Sequence, residues 1–67
     1  MKTYFEDVDW LGDRIEVSRD PESMPDRVYV EVTDRHGKGT AVSLDATQAS
    51  KLLDALTKAV ADTTHHH

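Results

Sequence analysis

The sequence predicts an α+β fold: a four-stranded antiparallel meander with one C-terminal helix packed on one face, ββββα. Three observations carry this. Four short segments alternate apolar and polar residues with the period of two that marks a strand buried on one side only. Turn residues separate them at Gly12-Asp13, Asp20 to Asp26 and Asp34 to Lys38. From Asp45 onward the apolar period changes to that of a helix.

In the first strand, Tyr4 to Leu11, Tyr4, Glu6, Val8 and Trp10 lie on one side and Phe5, Asp7, Asp9 and Leu11 on the other. The second, Arg14 to Arg19, sets Ile15 and Val17 against Glu16 and Ser18. A two-residue turn at Gly12-Asp13 then pairs Trp10 with Ile15 and Val8 with Val17. That register joins apolar residues across the pair and leaves Asp9 facing Glu16, a mildly destabilising contact of like charges.

Pro21 and Pro25 make Asp20 to Asp26 a surface loop. The third strand, Val28 to Thr33, turns Val28, Val30 and Val32 inward. Asp34-Arg35-His36-Gly37-Lys38 fits a three-residue hairpin loop, a type I turn followed by a left-handed glycine. It pairs Val32 with Thr40, Val30 with Val42 and Val28 with Leu44 in the fourth strand, Thr40 to Leu44.

The helix begins at an N-cap, Asp45, with Gln48 completing a capping box and Leu44 and Ala49 placed as a hydrophobic staple. Ala49, Leu52, Leu53, Leu56, Ala59 and Val60 form one apolar stripe, expected to cover the valine-rich sheet face. Asp54 and Lys58 stand four apart, in the favourable order for an ion pair.

Composition narrows the function classes. The chain is one domain over residues 1–64, and His65 to His67 read as a purification-tag remnant that belongs in no metal argument. With 67 residues and no cysteine, neither disulfides nor thiolate metal sites reinforce a small core, so tight packing or self-association is expected to, which favours a homo-oligomer. Thirteen acidic against eight scattered basic residues, net charge −5, oppose direct nucleic-acid binding. No membrane-spanning apolar run and no signal-peptide region follow Met1, so a cytoplasmic protein without membrane partners is expected.

The candidate chemistry is thin. Asp7-x-Asp9-x-Leu11-Gly12-Asp13 opens like a calcium loop, but the fifth ligand position is Leu11 and the twelfth, where a bidentate Glu belongs, is Ser18. His36, the one histidine outside the terminal three, has no nucleophile placed beside it, and Asp34 is explained by the turn. No catalytic residue, cofactor or metal ligand is therefore expected, and the protein is read as not an enzyme. What the alternation leaves over is the sheet face away from the helix, with Phe5, Leu11 and Tyr29 among Asp7, Asp9, Glu16 and Glu31. Aromatic anchors rimmed by charge fit a protein partner or a second copy of the chain, as does an open edge strand.

Arg27 to Ala59 resembles small uncharacterised proteins of actinobacteria and their phages, which combine a valine-rich hairpin, a short Leu-Asp or Leu-Ser cap and a Q-A-x-x-L-x-x-A-L helix. Gln48, Ala49, Leu52, Ala55 and Leu56 carry that pattern here. The resemblance implies an accessory bacterial or phage protein and transfers no site residue. Three functional expectations follow, in this order: a small protein-interaction module; an acidic decoy for a nucleic-acid-binding protein in which Asp7 and Asp9 imitate neighbouring phosphates; and, disfavoured for want of a deep pocket, a metal-dependent carboxylate enzyme built on the Asp9–Glu16 pair.

Overall fold

In the computed structural model, which describes residues 1–65, the elements run β1 (Lys2–Val8), β2 (Arg14–Asp20), β3 (Met24–Thr33), β4 (Gly39–Leu44) and α1 (Ala46–His65). The strands form one antiparallel sheet in the order β1-β2-β3-β4, the expected meander, and β1 and β4 are its open edges. The reading of residues 65–67 as a tag lies largely outside the described residues, although α1 runs on through His65.

The second hairpin and the helix start form as expected. Val28 pairs with Leu44, Val30 with Val42 and Val32 with Thr40. Asp34 N donates to Lys38 O at 2.7 Å and Gly37 takes φ 87°. Gln48 N donates to Asp45 Oδ1 at 2.8 Å and Asp45 N to Gln48 Oε1 at 3.0 Å, so both halves of the capping box close.

The first hairpin differs. Its loop has the same form as the second, with Asp9 N donating to Asp13 O at 2.9 Å and Gly12 N to Asp9 O at 3.1 Å. The Asp9 carboxylate is the cause: its Oδ1 accepts from Leu11 N at 2.9 Å and from Asp13 N at 3.0 Å. Asp34 does the same for His36 N and Lys38 N, both at 2.9 Å. Each loop reads D-x-x-G, and each glycine takes a positive φ. Strand β1 therefore stops at Val8, and Trp10 and Leu11 are loop residues rather than strand residues.

The register moves with the loop. Val8 faces Arg14, Asp7 faces Ile15, Glu6 faces Glu16 and Phe5 faces Val17, replacing the expected Trp10–Ile15, Val8–Val17 and Asp9–Glu16 pairs. A one-residue change of parity sends every side chain of the strand to the other face. An irregularity between Thr3 and Phe5 then flips the beginning of β1 back, so that Thr3 lies opposite Ser18.

The proline-containing stretch is a correction as well. Only residues 21–23 form the turn, while Asp20 pairs with Met24 and Pro25 lies within β3. The proline is tolerated because β4 reaches no further along β3 than the Val28–Leu44 pair, so no neighbouring strand on that side needs its missing N–H.

The helix lies on the expected face but covers little of it. Among the described residues its backbone comes close only to β3 and β4. Within the described residues no hydrophobic side chain is buried, and the one buried residue is Ser18, on the opposite face. The Asp54–Lys58 ion pair does not form, whereas Arg14 and Glu6 make one on the sheet at 2.8 Å.

Candidate functional site

With the registers fixed, each face of the sheet can be read row by row. The helix-side face carries Phe5, Val17, Val30 and Val42 in one row and Asp7, Ile15, Val32 and Thr40 in the next, with Val28 and Leu44 beyond. The open face carries Thr3, Ser18, Tyr29 and Ser43, then Glu6, Glu16, Glu31 and Ala41, then Val8, Arg14, Thr33 and Gly39.

Three of the seven residues expected on the open face are there: Glu16, Tyr29 and Glu31. Phe5 and Asp7 stand on the helix-side face, opposite Val17 and Ile15. Asp9 and Leu11 are in the first loop, Asp9 spent on backbone amides. The Asp7–Asp9 phosphate imitation therefore does not form, because the two residues no longer share a strand face.

In their place the open face gains a row that the expected register had hidden. Glu6, Glu16 and Glu31 stand directly across from one another on three adjacent strands. Directly opposed residues have β-carbons about 4.5–5.5 Å apart, and like charges at that separation repel. Glu6 is relieved by Arg14 at 2.8 Å. Glu16 Oε2 accepts from Thr3 Oγ1 at 2.7 Å, a neutral donor that brings no compensating positive charge. A shallow pocket of about 180 Å³ opens there, lined by Met1, Glu16, Ser18, Tyr29, Glu31 and Ala41.

Sequence reasoning also placed Trp10 wrongly. Expected on the packed face, it sits at the tip of the first hairpin and is 90 % exposed. The two hairpin tips touch each other, Asp13 Oδ1 accepting from Arg35 N at 3.1 Å, so Trp10 stands at a tied-down end of the sheet. The D-x-x-G pattern shared by the two loops was the available signal.

On the helix side an apolar groove of about 230 Å³ runs between α1 and the sheet, lined by Val17, Val28, Val30, Leu44, Ala49, Leu52, Leu53 and Leu56. Among the described residues no cluster of three or more His, Asp or Glu is arranged to hold a metal ion. The carboxylates of the calcium-like stretch are engaged with backbone: Asp7 Oδ1 accepts from Val8 N at 2.8 Å, and Asp9 and Asp13 accept as described. Within the described residues no helix is long and apolar enough to cross a membrane. The chain matches no protein-family model, no curated protein and no solved structure.

Proposed function

We propose that this protein is a small, non-enzymatic protein-interaction module whose working surface is the open sheet face, and that its partner presents a basic surface. The observation that carries the reading is the Glu6-Glu16-Glu31 row, in which one neighbouring arginine serves three opposed carboxylates. Guanidinium or ammonium groups from a partner would relieve that repulsion and gain charge-assisted hydrogen bonds. Tyr29 beside the row, and Trp10 at the hairpin end, supply anchors of the kind that dominate interface energies. An accessory bacterial or phage protein, as the resemblance of the second half of the chain implies, and a cytoplasmic location are part of this proposal.

The same row favours one second reading, a decoy that occupies the phosphate-binding surface of a nucleic-acid-binding protein. The two readings share the chemistry and differ in the partner.

The test uses tag-free protein immobilised against a bacterial lysate, with captured proteins identified by mass spectrometry. Wild type should retain a basic protein that Glu16→Lys/Glu31→Lys does not retain and that elutes as salt rises. Displacement of that protein by duplex DNA would select the decoy reading. Capture indifferent to both the double substitution and salt would end the proposal.

A further inference from the structure

The helix-side face is unfinished as a monomer, and the deficit can be measured. A compact protein of 7.5 kDa exposes about 4,250 Å², whereas this chain exposes 5541 Å². A compact domain of 67 residues has a radius of gyration of about 10.9 Å, whereas this one has 13.7 Å, with overall extents of 45 × 32 × 15 Å. The excess surface includes two apolar strips on the same side of the sheet. One is the flank of α1, where Leu53 is 65 %, Leu56 54 % and Val60 61 % exposed. The other belongs to the sheet, where Phe5 is 50 %, Ile15 37 %, Val32 48 % and Val42 52 % exposed.

Simple dimensions say what is missing. Four strands at about 4.8 Å spacing make a face roughly 19 Å wide, and a helix with its side chains is about 10 Å across. The sheet has room for two helices side by side, and among the described residues the backbone of α1 comes close only to β3 and β4. The strip over β1 and β2 has the width of one more helix, and the groove lined by Leu53 and Leu56 reaches Val17 of β2.

We infer that a second copy of this chain supplies that helix. In a two-fold dimer, packed sheet to sheet, each α1 lies over its own β3 and β4 and over the partner's β1 and β2. The two helix flanks then meet in the middle layer. The apolar strips are self-complementary, as a two-fold interface requires. The excess sets the scale: it is about 1,300 Å² per chain, and a dimer that removed all of it would bury about 2,600 Å² for the pair, against the roughly 2,000–5,000 Å² of obligate homodimers. Asp7, at the β1 edge of this face, stays at the rim. The inference is independent of the proposed function, because it uses the opposite face of the sheet.

Sedimentation equilibrium of tag-free protein should give twice the 7.5 kDa chain mass. Its melting temperature should rise with protein concentration, because folding is coupled to association. Leu53→Glu and Val60→Glu replace side chains that are 65 % and 61 % exposed, so in a monomer neither would change hydrodynamics, and Val60→Glu, outside the groove, would leave melting unchanged as well. In the dimer each should weaken association at least tenfold. If a variant unfolds, the wild-type melt decides: concentration dependence supports the dimer and independence overturns it. A wild-type chain of single mass at micromolar concentration, or a dimer that survives both substitutions, would also overturn it.

Discussion

Tyr29 and Val30 are neighbours in the chain and stand on opposite faces of β3, and the faces contrast row by row. Beneath Val30 the sheet is apolar and half-covered by its helix; around Tyr29 it carries three opposed glutamates. The strands of an antiparallel sheet can be amphipathic in this way because successive side chains alternate, so one sequence serves two surfaces. The difference teaches that the two faces are incomplete for different reasons. The helix side lacks apolar area, which a second copy can supply, and the open side lacks positive charge, which a basic partner can supply.

The largest expected effect breaks that contrast directly. Val30→Asp places a charge among Val17, Val42 and the helix leucines and should remove cooperative urea unfolding, a loss of about 3 kcal/mol or more. Tyr29→Asp, one residue away, should change stability by no more than about 1 kcal/mol. Circular dichroism in urea compares them, and equal losses would mean that the faces are not energetically distinct.

Next come the loops that decide which face each residue of β1 occupies. Asp9→Ala and Asp34→Ala should each destabilise by about 1–2 kcal/mol, because each carboxylate holds two backbone amides. Were Asp9 a strand residue facing Glu16, its removal would instead be neutral or stabilising. Asp45→Ala, which opens the capping box, should cost about 1 kcal/mol. Amide exchange should then quicken in the first turn of α1 and leave the strand register intact.

The smallest effect belongs to the glutamate row. Glu31→Gln should raise stability by a few tenths of a kcal/mol at low ionic strength and lose that gain in high salt. Asp7→Asn, on the other face and away from the row, should show no such salt-dependent gain.

How far the sequence could be read differs between the two hairpins for a physical reason. In the second, Val28, Val30 and Val32 face Leu44, Val42 and Thr40, and one register alone satisfies both the turn and the apolar pattern. In the first, Trp10 and Leu11 extend the apolar alternation past the end of the strand, so two loop lengths each give a plausible pairing. The carboxylate of Asp9, bonding to Leu11 N and Asp13 N, decides between them. With that choice Phe5 and Asp7 leave the open face and Glu6 joins it, so the expected site and the observed one share only Glu16, Tyr29 and Glu31.

By itself the sequence determined the α+β class, the strand count, the second hairpin and the capped helix, because period, turn chemistry and capping act over a few residues. Tertiary structure alone decided which face β1 presents, that three glutamates stand in line, and that one helix covers only half of a four-stranded sheet. Those facts depend on pairing between distant segments and on the width of a finished layer, which no local pattern records.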